Sequence, residues 1–169
     1  LAAGFFTAYA RVDIAVSRMF WNSAQGFYLR NDMLPVFLYQ AIPVIAYASA
    51  GLALLVLAVS LLRPQARLWI DRKSAVFLLV SLVAGPGLVT NAILKDYWGR
   101  ARPFQVMEFG GKSEFTPALQ ITDQCYGNCS FVAGHPSMAF YLIAFAFLVR
   151  DPFRRKLAIA ASIAFGLLA

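Results

Sequence analysis

The sequence predicts an all-α protein, a polytopic bundle of transmembrane helices. Of its 169 residues, 60% are hydrophobic and only 14% are charged, whereas soluble domains are nearer a quarter charged. Three uncharged apolar runs, Met33–Leu62, Ser74–Leu94 and Phe131–Val149, are each long enough to cross a bilayer as a helix. Three such runs in so short a chain argue against the alternative of buried core helices in a soluble protein.

Two shorter apolar segments lie at the ends of the chain. Leu157–Ala169 has 13 residues, and Leu1–Ala10 could be the tail of a further span. Because spanning a bilayer takes about 20 apolar residues, and the sequence does not begin with Met, we expect the chain to be cut at both ends. Its length predicts one membrane-embedded domain over residues 1–169.

The basic residues predict the orientation of the spans. Arg63–Lys73 holds four of them in 11 residues and Arg150–Lys156 holds four in seven, whereas Lys95–Ser130 holds four in 36. Short basic loops stay in the cytoplasm, so Lys95–Ser130 and, by alternation, Arg11–Asp32 are expected outside. Within the latter, Asp13–Phe20 suits a short helix at the membrane interface.

Two proline-containing sites interrupt the apolar runs. Gly85-Pro86-Gly87 lies in the middle of the second run, and Pro43 lies in the first. Proline causes kinks, which transmembrane helices tolerate, so we expect both helices to be disturbed there.

The net charge of +7 narrows the choice of partners. A basic protein usually meets nucleic acid, an anionic membrane surface or an anionic substrate. Here the basic residues lie between long apolar runs and form no separate soluble patch, which excludes nucleic acid. An anionic membrane surface and an anionic substrate remain as the expected partners.

A cluster of cations follows the second apolar run, in Lys95-Asp96-Tyr97-Trp98-Gly99-Arg100-Ala101-Arg102-Pro103. If the helix continues, Lys95 and Arg102 are seven residues apart and share one face. They would then clamp an anion, since arginine can grip phosphate with a paired fork. Arg100 would point about 200° away, and Pro103 would stop the helix. An ordinary basic cluster beside the membrane is the alternative, but such clusters favour the cytoplasmic side.

The only histidine, His135, lies near the expected start of the third apolar run, in Cys129-Ser130-Phe131-Val132-Ala133-Gly134-His135-Pro136-Ser137. A helix start points free backbone N–H groups at anions, and Gly134 lets an anion approach closely. A histidine there could donate a proton to a leaving oxygen. Taken alone, a single histidine is more often structural; the cluster around Lys95 and Arg102 reverses that preference.

Together these segments resemble the type-2 phosphatidic acid phosphatase superfamily, the lipid phosphate phosphatases. The family's first motif, Lys, six residues, then Arg-Pro, matches Lys95 to Pro103 in full. Its second motif, Pro-Ser-Gly-His, is matched in its Gly134-His135 half. Its third motif, Ser-Arg, five residues, His, three residues, Asp, does not occur here. Relative to the six-helix fold of that family, the chain is expected to be truncated at both ends.

The resemblance implies an enzyme that hydrolyses a lipid phosphate monoester or diphosphate. A third-motif histidine would form a phosphohistidine, His135 would protonate the leaving group, and Lys95 and Arg102 would hold the phosphoryl oxygens. The enzyme would need no metal or cofactor. It would lie in the cytoplasmic (inner) membrane with its site facing the periplasm or exterior. Candidate substrates are lipid A 1-phosphate, undecaprenyl diphosphate, phosphatidylglycerol phosphate and phosphatidic acid, with lipid A and undecaprenyl carriers preferred.

Two departures from the family pattern support an alternative function. Ala133 stands where the family's serine would bind the phosphate, and it supplies no hydroxyl. Ser137 could replace that donor only from about 200° round a helix. The nucleophile is also absent from these residues. The alternative is therefore a catalytically inactive membrane protein that binds lipid phosphate.

Cys125 and Cys129 are the only cysteines, and both lie in the segment expected outside. Because disulfides persist outside the cytoplasm, we expect them to be bridged, closing a tight loop just before the second motif. Two free thiols are the alternative. A zinc site is not expected, since further ligands are lacking.

Overall fold

The computed structural model describes Tyr9, residues 11–66 and residues 68–169. It divides into two units. Of the described residues, the first unit combines those up to Phe37 with Asn91–Ala133, and the second combines those of Leu38–Thr90 with Gly134–Ala169. Apart from Tyr9, the expected partial span at the start of the chain lies outside the described residues, as does Arg67 of the first basic loop.

The first unit begins with helix α1, Val12–Arg18, close to the predicted interfacial helix. A hairpin that the sequence analysis missed follows, pairing β1, Trp21–Asn22, with β2, Gly26–Phe27. The Asn22 side-chain oxygen accepts the backbone N–H groups of the next residues of the turn, at 3.1 and 2.6 Å. This local bonding favours the turn. A 3₁₀ helix, Tyr28–Asn31, completes the segment.

Helix α2, Met33–Leu62, has the bounds predicted for the first complete transmembrane run. It runs through Pro43 without a break in the helical assignment. Its mean hydropathy of 2.3 and its length make it long and apolar enough to cross a membrane. Side chains such as Leu54 and Leu62 are more than half exposed, which makes a surface better suited to hydrocarbon than to water.

The second predicted span lies within a continuous helical segment, Arg72–Tyr97, also long and apolar enough to cross a membrane. Its parts are α3, Arg72–Leu82, a π-helix, Val83–Leu94, and one turn of α-helix, α4, Lys95–Tyr97. The disturbance predicted at Gly85-Pro86-Gly87 therefore takes the form of a wider coil. Pro86 has no N–H to donate, and its ring clashes with the carbonyl four residues back, so a regular α-helix is unfavourable there.

The prediction of one long helix over Phe131–Val149 was wrong. The structure has two shorter helices, α5, Gly134–Phe140, and α6, Ile143–Ala146. Between them the backbone N–H of Leu142 bonds the carbonyl three residues back, at Ala139, at 3.1 Å. Such bonds tighten the coil instead of continuing an α-helix. Apolar composition correctly indicated helical structure in this run but could not locate the break.

Helix α7, Pro152–Leu168, begins inside the second basic cluster. The Asp151 side chain accepts the Arg154 N–H at 2.7 Å, and Pro152 occupies the first helical position. Both features favour a helix start. Arg154 and the two basic residues after it therefore lie in a first helical turn, where a loop had been predicted.

Each unit has its own apolar core. In the first, Ala101, Val106 and Phe109 are buried and pack against Ile14, Trp21, Phe27 and Phe115. In the second, Ala53, Ala75, Leu78, Tyr141 and Ala144 are buried. The Tyr141 hydroxyl donates to the Leu78 carbonyl at 3.2 Å, which satisfies the one polar group of that core.

Candidate active site

Lys95 and Arg102 do not share a helix face, so that part of the prediction was wrong. Helix α4 ends at Tyr97, and Gly99 adopts a left-handed conformation with φ of +69°. Arg102 is extended, with φ −78° and ψ 154°, just before a 3₁₀ helix at Pro103–Gln105. Glycine tolerates positive φ at little cost, so the chain turns out of the helix three residues before Arg102.

A different arrangement relates the two residues. Both contact the loop before the second motif, Lys95 through its backbone carbonyl and Arg102 through its guanidinium. The Arg102 backbone N–H donates to the Gln105 side chain at 2.8 Å. Its guanidinium donates from Nε and Nη2 to the Asn128 carbonyl, at 3.2 and 2.8 Å. Arg102 is therefore held by a loop contact across 26 residues of sequence.

Asn128 is itself held in position. It has a left-handed backbone with φ of 50°, and its N–H donates to the Asp96 carboxylate at 3.2 Å. The next N–H, that of Cys129, donates to the Lys95 carbonyl at 3.1 Å. Sequence reasoning missed both Asn128 and Asp96, because neither carries a motif that marks it before the loop has folded.

The predicted disulfide is present, between Cys125 and Cys129, with Cα atoms 5.7 Å apart. Cys129 is buried, whereas Asn128 and its two predecessors are exposed. The bridge closes a five-residue loop that contains the carbonyl bound by Arg102.

Arg100 points away from this pair, as predicted, although the helical reason given for it does not apply. Its Nε donates to the Thr116 carbonyl at 2.8 Å. Its Nη2 pairs with Asp13, and its guanidinium lies over the Phe115 ring, 5.6 Å from the centroid. Arg100 therefore ties α1 to the loop, and its charge is already neutralised by a carboxylate.

His135 lies in the first turn of α5, as predicted, next to the buried Gly134. Its imidazole stacks on the Tyr39 ring of α2, with centroids 4.1 Å apart and planes at 24°. The sequence analysis did not single out Tyr39, since the contact spans 96 residues and no local pattern signals it.

The Ser137 hydroxyl forms a hydrogen bond of 2.9 Å with that of the buried Thr90. This bond joins α5 to the π-helix, so Ser137 already has a structural partner. That favours the view that it does not replace the missing serine hydroxyl. Ala133, at the position of that serine, is exposed just before the helix.

Comparison with known proteins relates a large part of the chain to a family. The profile of the PAP2 superfamily matches residues 74–169. Three relatives are each named lipid A 4'-phosphatase. That of Francisella tularensis subsp. novicida is 44% identical over 95 residues, 56% of this chain and 43% of the relative. That of Rhizobium leguminosarum is 41% identical over 86 residues, which are 51% of this chain and 36% of the relative.

The third relative, the lipid A 4'-phosphatase of Rhizobium etli, is 40% identical over 79 residues, which are 47% of this chain and 31% of the relative. The matched region thus covers less than half the length of each of these relatives. No solved structure matches the chain.

Proposed function

The chain belongs to the PAP2 superfamily, and we propose on that basis that it acts as an integral-membrane phosphatase on a lipid phosphate. The observation that carries this proposal is that Lys95 and Arg102 contact one short loop, Arg102 at the Asn128 carbonyl and Lys95 at the Cys129 N–H. Two cations that contact one short loop repel each other, and a phosphate group relieves that repulsion.

We propose lipid A as the substrate, with hydrolysis of its 4'-phosphate. Support comes from three relatives at 40–44% identity that carry that name. This choice replaces the 1-phosphate of lipid A and the undecaprenyl diphosphate suggested by family resemblance. A lipid A substrate agrees with a site at the outer face of the cytoplasmic membrane, where the headgroup would reach Lys95 and Arg102.

The proposed mechanism assigns one role to each residue. Lys95 and Arg102 hold the phosphoryl oxygens and stabilise the negative charge that develops in the transition state. The family resemblance also gives the Gly134 N–H a role in binding phosphate. A third-motif histidine attacks phosphorus and becomes phosphohistidine, as the family resemblance implies. His135 protonates the leaving sugar oxygen, and water then releases phosphate from the histidine.

Ala133 leaves one phosphate contact of the family pattern unfilled. Its methyl group cannot donate a hydrogen bond, so ground-state binding rests on the cations and the Gly134 N–H. An inactive binding protein would share this feature. It would capture lipid phosphate and release no inorganic phosphate, so turnover separates the two functions.

The test uses the intact protein in lipid vesicles and measures phosphate released from lipid A. Arg102→Ala should impair both KM and kcat, since the cation contacts ground and transition states. One lost charge-assisted hydrogen bond of roughly 1.5–3 kcal/mol slows the reaction about tenfold or more. Arg30→Ala, an exposed arginine of the same unit, is the control and should have wild-type activity.

His135→Ala should mainly slow expulsion of a poor leaving group. Nitrophenyl phosphate, whose leaving group needs little protonation, should partly escape the His135→Ala defect but not the Arg102→Ala defect. Equal losses on both substrates for His135→Ala would remove it from the acid role. A folded Arg102→Ala protein with full activity would overturn the phosphatase proposal.

A further inference from the structure

We infer that the disulfide-closed loop Cys125–Cys129 is the positioning element of Arg102, acting through the main-chain carbonyl of Asn128. This inference rests on the proposed function, because it concerns how the phosphate-binding cation is oriented. It gives the bridge a role in substrate binding beyond holding the second motif.

The first step concerns the guanidinium. It carries five N–H donors in a rigid planar fork. The Asn128 carbonyl accepts from Nε and Nη2, at 3.2 and 2.8 Å, so one edge of the fork is occupied. The other edge keeps its donors for a phosphate. A single carbonyl therefore sets the plane in which Arg102 meets the substrate, which is the geometry that bidentate phosphate binding needs.

The second step concerns what holds that carbonyl. Neighbouring side chains pack little around the loop, since Tyr126 is 95% exposed and Asn128 is also exposed. The disulfide instead joins the two ends of the loop and so fixes the position of the residues between them. The Asp96 carboxylate adds a bond to the Asn128 N–H, at 3.2 Å. Cys129, 1% exposed, adds its own N–H to the Lys95 carbonyl at 3.1 Å.

The consequence is that the loop contacts both cation-bearing residues. Opening the bridge leaves the exposed residues of the loop free to move, and the Asn128 carbonyl moves with them. Arg102 then gains rotamer freedom that phosphate must remove on binding, which weakens the complex. Affinity for phosphate should therefore depend on the bridge, even though neither sulfur contacts the substrate.

The experiment measures inhibition by inorganic phosphate, a probe that contacts the cations without the lipid. In the oxidised intact protein, phosphate competes with substrate. After reduction with a phosphine and removal of the reagent, the inhibition constant should rise about tenfold, and reoxidation should restore it. In Arg102→Ala, reduction should change the inhibition constant for phosphate little, because the guanidinium that the loop orients is absent. An equal effect of reduction in both proteins would overturn the inference.

A second pair of variants leaves the bridge intact, which covers the case that reduction unfolds the loop. Asp96→Ala removes the acceptor for the Asn128 N–H, whereas Asp96→Asn keeps an acceptor oxygen. Both remove one negative charge near the cations, and electrostatics alone predicts tighter phosphate binding for each. A positioning role for Asp96 predicts that Asp96→Ala binds phosphate more weakly than the wild type. It also predicts that Asp96→Asn, which keeps the acceptor oxygen, restores the wild-type affinity.

The control for this pair is Glu108→Ala, an exposed carboxylate in the same unit, which should leave the constant unchanged. Tighter or equal binding in Asp96→Ala would contradict the positioning role. Failure of the proposed function has a separate signature: the oxidised wild-type protein would release no phosphate from lipid A at all. Activity that is identical in the oxidised and reduced wild-type proteins, both folded, would refute only the inference.

Discussion

Gly99 should be the least replaceable glycine of the loop that carries the cations. It has a φ of +69°, and a Cβ built there would lie 1.6 Å from the Thr122 carbonyl oxygen, a backbone atom. Real Cβ atoms essentially never come within 3.0 Å of another atom, so Gly99→Ala must push the two segments apart. The Thr122 N–H bond to the Trp98 carbonyl, 3.0 Å long, lies beside this contact.

The expected loss follows from these contacts. A left-handed alanine costs roughly 1–2 kcal/mol, and a broken backbone hydrogen bond adds roughly 1 kcal/mol. Displacement of the backbone adds more, so Gly99→Ala should lower the free energy of unfolding by at least about 3 kcal/mol. For a chain of this size that lowers the thermal midpoint by roughly 6–12 °C.

Two other glycines separate the contributions. Gly110 has a φ of +83° with nothing within 4 Å of its Cβ position, and Gly127 has open space and no positive φ. Gly110→Ala should cost only the conformational part, about 1–2 kcal/mol, and Gly127→Ala about nothing. The assay is thermal unfolding in detergent micelles, with phosphate release measured alongside. A Gly99→Ala midpoint no lower than that of Gly110→Ala would refute the steric reasoning.

Three further predictions concern the membrane and the site. Single cysteines placed in a bridge-free background at Lys112 and Gln65 should be labelled in intact cells by an impermeant reagent only at Lys112, and labelling only at Gln65 would reverse the topology. Ala133→Ser should raise lipid phosphatase activity about tenfold by restoring a phosphate contact; no gain would mean that the alanine is fully tolerated. Tyr39→Leu should lower kcat for lipid A by loosening the stacked histidine, whereas Tyr47→Leu, an equally exposed tyrosine of the same helix, should not; equal kcat values in the two variants would dismiss the stack.

Much of the fold follows from local composition. The bounds of α2 coincide with an uncharged apolar run, and Arg72–Tyr97 contains the second predicted run. The cysteine pairing was also accessible, because the sequence contains only two cysteines and they lie four residues apart. Hydropathy and spacing are properties read along the chain, and they suffice when the structure depends on solvent and on near neighbours.

Other features depend on contacts that hydropathy cannot express. The run Phe131–Val149 contains no Asp, Glu, Lys or Arg, yet its helix is interrupted after Phe140, where Gly166 of α7 lies so close that a Cβ there would meet the Phe140 ring at 2.5 Å. Likewise the helix before Arg102 ends early because Gly99 turns against the Thr122 backbone. In both places the close neighbour is more than 20 residues away in sequence.

The sequence by itself determined the helical class, the apolar runs and the family motifs, and it led to the proposal of Lys95, Arg102 and His135 as the chemical groups. Tertiary structure alone decided how those groups are held: Arg102 by the Asn128 carbonyl, and His135 by the Tyr39 ring. The physical reason is the distance along the sequence between the residues that determine each feature. A motif records which side chains the chemistry needs, whereas the orientation of each side chain depends on hydrogen bonds and ring contacts to partners 26 and 96 residues away. Those partners become neighbours only when the chain folds.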